Sequence, residues 1–224
     1  MFVSSHLAIA FRAILQGMEQ HTIHNPGRQL SPEKAETILG GAMQEFLACG
    51  YAATSMDRVA ATAGVSKATV YSHFQDKEGL FKALIQQLVQ KKFRSIFSPV
   101  EDRNLQGDPA ATLTQIANKV LDSGLGDSQY VNFMRLIMGE SGRFPELART
   151  FVRNIEATAC QFFKQYLHDQ AEELQLPDPE ATGRIFIGAL VHYMIVQEML
   201  HGKDIMPMDR DRLIKNLIFH ICPQ

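Results

Sequence analysis

The sequence predicts an all-α protein, an N-terminal three-helix helix-turn-helix domain followed by a C-terminal helical bundle. Three observations carry that expectation. Apolar residues recur at helical spacing from about residue 32 to the end of the chain. Strand-like alternation and hairpin signals are absent. Two short helical stretches meet at Ala63-Gly64-Val65, each preceded by a capping residue.

Residues 1–30 read as an N-terminal extension. Val3, Leu7, Ala10, Phe11, Ile14 and Met18 share one helical face, and Asn25-Pro26-Gly27 marks a linker. His6 and Arg12 interrupt the apolar stretch and no basic residue precedes it, unlike a signal peptide. Ser31-Pro32-Glu33 then opens a helix with a cap, a first-position proline and an acidic first turn. Ala35, Ile38, Leu39, Ala42, Phe46 and Leu47 line one face of it, and Gly50 ends it. Thr54 with Asp57 resembles a capping box for the next helix, which stops at Gly64. Ser66 caps a third helix through Phe74, and Asp76 a longer one to about Phe93.

Five further helices follow. Asp108-Pro109 starts the first, Tyr130 to Ser141 forms the second, and Pro145 to about Leu174 a long third. Asp178-Pro179 opens the fourth, to about His201, and Met208 to Ile221 forms the fifth. The expected domains are therefore an extension at 1–30, a helix-turn-helix domain at 31–76 and a larger domain at 77–224.

Composition narrows the function classes. With 46% hydrophobic and 21% charged residues, 224 residues can bury a core without staples. No apolar run approaches the roughly 18 residues of a membrane span. Cys49, Cys160 and Cys222 lie far apart, so a disulfide framework or zinc cluster is not expected, and a reducing cytoplasm fits. Residues 31–95 carry eight Lys/Arg against six Asp/Glu, a net of +2. Residues 96–224 carry twelve against seventeen, a net of −5. That split is compatible with one nucleic-acid-binding end.

The chemistry concentrates in residues 54–81. Gly64 can take the left-handed turn conformation, Ala60 is small where the helices cross, and Val59, Val65 and Val70 supply the packed side. The second helix exposes Lys67, Thr69, Ser72 and His73, with a hydroxyl from Tyr71. Its start at Ser66 points amide groups toward a phosphate, and Ser55 and Lys77 begin the flanking helices. Such a helix suits the major groove.

The stretch resembles the DNA-binding domain of the TetR family of regulators. The matching residues are Gly50-Tyr51, Thr54-Ser55, Val59-Ala60, Ala63-Gly64-Val65-Ser66, Ala68-Thr69-Val70-Tyr71, His73-Phe74, Lys77-Glu78 and Leu80-Phe81. So many matches at fixed spacing are far more specific than a short motif. The resemblance is tight over about 32–82. Phe133-Met134-Arg135-Leu136-Ile137 and Arg143-Phe144-Pro145-Glu146-Leu147-Ala148 resemble the C-terminal domain of an AefR-like branch. The leader of about 30 residues departs from the family's usual short arm.

The resemblance implies that Lys67, Ala68 and Tyr71 approach base edges. It places Ser55, Thr69, Ser72, His73 and Lys77 near phosphates; His73 is alternatively a packing residue at the helix end. It also implies an effector pocket in the C-terminal bundle, and a dimer formed by the last two long helices. Met134, Ile137, Met138, Phe162, Tyr166 and Tyr193 are the pocket candidates, since methionine and aromatic linings adapt to apolar ligands. The other reading is that they fill one another as core. For the dimer, Ile185, Ala189, His192 and Val196 form one apolar face and Leu213, Leu217 and Ile218 another.

Enzyme signals fail. Gly139-Glu140-Ser141-Gly142-Arg143 lacks the final glycine and preceding strand of a nucleophile elbow. Gly124-Leu125-Gly126 is an incomplete dinucleotide motif. No catalytic residue, metal site or cofactor is expected. The expected function is a homodimeric transcriptional repressor, released from a palindromic DNA operator by a small apolar effector. The alternative is a helical ligand-binding or scaffold protein that does not read DNA.

Overall fold

Ser31 sets the first helix in place: its side chain accepts the Lys34 N–H while Pro32 pre-forms the first turn. That helix, α1 (Pro32–Ala53), heads a computed structural model that describes residues 31–96 and 108–222. The N-terminal extension expected at 1–30, with its linker, lies outside the described residues. The remaining α-helices are α2 (Met56–Thr62), α3 (Lys67–His73), α4 (Lys77–Ile96), α5 (Pro109–Leu125) and α6 (Ser128–Glu140), followed by α7 (Pro145–Phe151), α8 (Ala157–Asp169), α9 (Pro179–Met194) and α10 (Arg210–Ile221). There is no strand among the described residues.

Several boundaries differ from expectation for local reasons. Ser55, not Thr54, caps α2 and accepts the Arg58 N–H at 3.3 Å. The Thr54 hydroxyl instead donates to the carbonyls of Gly50 and Glu45, closing the end of α1. The single long helix expected after Pro145 is interrupted by a π turn at Val152–Glu156, and its second part ends at Asp169. A second π turn, Ile195–Met199, follows α9. The last helix starts at Arg210, because Asp209 accepts the Arg212 N–H at 2.8 Å.

The described chain divides into two compact units. One comprises residues 31–90 and 132–155. Its core gathers Ile38, Ala42, Phe46, Val59, Val70, Leu80 and Phe81, all buried. Phe81 meets Phe46 and Tyr51 edge-on at 5.3 Å each and tilts against Phe133 at 5.4 Å. Aromatic pairs of this kind add about 0.5–1.5 kcal/mol each beyond their buried area.

The other unit comprises residues 91–96, 108–131 and 156–222. Leu113, Ile116, Leu121, Phe162, Phe163, Phe186 and Leu190 fill it. Polar clamps hold its ends. Arg210 reaches the Asp122 carboxylate at 2.6 Å and both oxygens of Asn118. Lys92 pairs with Asp127 at 3.0 Å, donates to the Ser123 carbonyl, and lies over the Tyr130 ring. Burial pushes the Asp127 carboxyl up. Hydrogen bonds from Lys92 and the Tyr130 backbone, with the charges of Lys92 and Lys91, outweigh that and hold it below its ordinary range.

Candidate nucleic-acid interface

α2 and α3 meet through Gly64, whose φ of 66° lies in the left-handed region that a side chain disfavours. The Val65 N–H returns to the Ala60 carbonyl at 3.0 Å, which closes the turn. Ser66 caps α3, accepting the Thr69 N–H at 3.1 Å while its hydroxyl pairs with that of Thr69 at 2.8 Å. Val70 and Phe74 turn inward and are buried. That anchorage leaves Ser66, Lys67, Ala68, Tyr71 and Ser72 on the exposed side, with Tyr71 43% exposed.

Lys67 is not a free cation. Its ammonium lies 2.7 and 2.9 Å from the two carboxylate oxygens of Asp57 on α2, and 5.8 Å from the Tyr71 ring centroid. Hydrogen bonding to Asp57 and its charge raise the Lys67 pKa. Arg58 ties α2 to α1 through Glu45 at 2.8 Å, and Thr62 donates to the same carboxylate at 2.7 Å. The arrangement is a short polar helix held rigidly on a braced pair.

The comparisons with known proteins agree with this geometry. Residues 38–84 match the model of bacterial regulatory proteins of the tetR family. Residues 111–218 match the AefR-like transcriptional repressor C-terminal domain. The uncharacterized HTH-type transcriptional regulator YvkB of Bacillus subtilis is 44% identical over 185 residues, 80% of this chain and 90% of that protein. The chain belongs to the TetR family of transcriptional regulators. The HTH-type transcriptional regulator AcrR of Shigella flexneri is 27% identical over 162 residues, 71% of this chain and 74% of that one. Among solved structures, the flavonoid-responsive regulator FrrA superposes with a TM-score of 0.71 at 31% identity, covering 85% of this chain and 96% of that one. The TetR family binds DNA and dimerises, and its members are not enzymes. Among the described residues no helix is long and apolar enough to cross a membrane.

Within this TetR-family head, Lys77 and His73, both expected near phosphates, make contacts inside the protein. The Lys77 ammonium donates to the carbonyls of Tyr51, Ala52 and Thr54 at 2.8, 3.2 and 3.0 Å. It also lies 4.5 Å from the Tyr51 ring centroid. All three of its protons are spent on the end of α1, so the side chain caps a helix rather than reaching outward. Burial pushes its pKa down against the opposing charge of Glu140. His73 is only 8% exposed and packs beside Phe74 at the end of α3, as the packing alternative expects. Ser55 is exposed at the start of α2, Thr69 is half-buried beside Ser66, and the Ser72 hydroxyl donates back to the Thr69 carbonyl.

Burial, together with the Lys34 charge, lowers the His73 pKa. The unfolded chain therefore takes up this proton first as pH falls. The stabilising contribution is complete above a pH of about 6.5 and is lost as pH drops through the lowered folded value. Melting temperature is expected to fall as pH drops below about 6.5, and His73→Gln to flatten part of that fall. A profile unchanged by the substitution would contradict the assignment.

The six pocket candidates are divided between the units. Met134, Ile137 and Met138 belong to α6 in the unit of the reading head, with Ile137 buried and Met138 exposed. Phe162, Tyr166 and Tyr193 belong to the other unit, the first two buried and Tyr193 half-buried. There burial pushes the Tyr166 phenol up to about 12, partly offset by the neighbouring Thr112 hydroxyl. The sequence marks Asp57 only as a capping residue and Glu140 only within an incomplete nucleophile-elbow stretch; it gives no sign of the Asp57–Lys67 pair, of the Arg58–Glu45–Thr62 brace, or of the Glu140 carboxylate accepting the Tyr51 N–H at 3.2 Å.

Proposed function

We propose that this chain is a homodimeric repressor that reads a pseudo-palindromic operator and is released by a small, largely apolar effector. The observation that carries the reading is α3, a capped helix anchored by Val70 and Phe74 with Lys67, Ala68 and Tyr71 outward. Lys67 and Tyr71 serve base readout. Ser55, Ser66, Thr69 and Ser72 serve phosphate contacts through hydroxyls and helix-end amides. Residues 31–76 act as reader and 77–224 as sensor and dimer body, and the site of action is the cytoplasm. A two-fold dimer places its heads about 34–36 Å apart on one face of the duplex. An effector that prefers the unbound arrangement then lowers operator affinity by linkage.

The buried Tyr166 phenol beside the Thr112 hydroxyl, in a unit whose core is otherwise apolar, supports a mostly apolar ligand with one polar group. One solved relative is named a flavonoid-responsive regulator, which supports response to a small molecule. The test is selection of bound duplexes from a random-sequence library. Enrichment of a two-fold symmetric sequence is the expected result. Uniform recovery would favour the helical scaffold that does not read DNA. On the selected duplex, Tyr71→Ala is expected to weaken binding by about 1–3 kcal/mol and relax choice at one base position. An equal loss on random duplex would remove Tyr71 from base readout.

A further inference from the structure

Asp57 is the residue of the reading surface whose charge opposes the task. It stands in the first turn of α2 with a side chain 62% exposed, and Lys67 opposite is 59% exposed. Exposed ion pairs add little stability, so this one is not what holds the head together. Its consequence is directional. Both carboxylate oxygens engage the Lys67 ammonium, and that ammonium sits on the Tyr71 side of α3, one turn away. Lys67, Tyr71 and Asp57 thus form one exposed cluster, with the cation tethered rather than swinging on its flexible stem.

We propose that Asp57 is a specificity-determining residue for operator recognition, holding Lys67 over the bases and off the phosphates. This rests on the reading of α3 as the base-reading helix. On arbitrary DNA the main gain is phosphate neutralisation. A lysine bound to Asp57 contributes little to that gain, and the carboxylate itself repels the backbone. On the operator Lys67 donates to a base edge while Asp57 still accepts one of its three protons, so the repulsion is offset. The carboxylate therefore weakens non-specific binding more than specific binding, and the gap is discrimination.

The experiment measures fluorescence anisotropy of the full-length protein on a duplex selected from the random library and on random-sequence duplex, across a salt series. Asp57→Asn is expected to bind random duplex roughly 5–10-fold more tightly, with a salt slope steeper by about 1. Affinity for the selected duplex should move less, so the ratio of the two falls. Asp57→Glu should preserve the ratio. In a Lys67→Met background, Asp57→Asn should change the ratio no further, because the two act as a pair. Melting temperature should stay within a few degrees in each variant. Equal tightening on both duplexes would make Asp57 a general repulsive charge and overturn the proposal. So would a lowered ratio that persists without Lys67. Failure of the selection to enrich any sequence would instead overturn the operator reading, and this proposal with it.

Discussion

Lys77→Met is expected to destabilise the reading head by about 2–4 kcal/mol and to abolish tight operator binding. Gly50 takes a φ of 76° and breaks the regular helix, leaving carbonyls of the last turn of α1 without helical partners. The Lys77 ammonium collects two of them, from Tyr51 and Ala52, and the carbonyl of the cap residue Thr54 as well. Methionine keeps the apolar stem and supplies no proton, so those carbonyls lose a charged donor in a partly buried site. The Tyr51 ring loses its cation as well. Tyr51 belongs to the aromatic cluster with Phe46, Phe81 and Phe144, so loosening the hook loosens the core beneath α2 and α3. For a chain of this size each kcal/mol shifts the melting temperature by roughly 2–4 °C. Thermal melting and anisotropy on the selected duplex would be read together. Unchanged melting with a salt slope reduced by about 1 would restore Lys77 to the phosphate contacts.

Lys77 also shows where sequence reading stops. The helix-turn-helix was legible because its determinants are local: Gly64 at the turn, caps at Ser55 and Ser66, and valines at helical spacing. The capping partners of Lys77 lie 23 to 26 residues away, on a hook made by Gly50. A lysine at the start of a helix beside a reading head reads as a phosphate ligand unless that hook is known. Asp57 and Lys67 are ten residues apart on two helices, and their pairing depends on the angle set at Gly64. Neither periodicity nor a short motif reports such an angle. The long helix from Pro145 was half legible. Its apolar spacing continues through Val152–Glu156, but a π turn adds a residue to the ladder there, which no composition signal marks.

The same limit applies to the dimer helices, and it decides how dimerisation should be tested. The family resemblance and apolar spacing together put Leu217 and Ile218 on the expected partner surface. Both are buried within the single chain, with Ile214 and Ile221 beside them on α10. The apolar residue that α10 leaves outward is Phe219, 55% exposed. On α9 the outward one is Ile185, 64% exposed, and Ala181, Gly188 and His192 share its stripe at one-turn spacing. Ala181 and Gly188, small neighbours of one large apolar side chain, suit close approach by a second helix.

Ile185→Glu combined with Phe219→Glu is therefore expected to convert the dimer to a folded monomer. Each glutamate is solvated in the monomer but uncompensated if a partner covers it. Operator affinity should fall by about 10²–10⁴-fold, since two linked half-site contacts become independent. Helical content and single-chain melting should be retained. Truncation after Gly202 is a weaker test. It removes the four buried residues of α10 together with the Arg210 clamp on Asp122, and so damages the monomer itself. Sedimentation of the double variant separates the possibilities. A dimer that persists with both glutamates in place would move the interface away from α9 and α10.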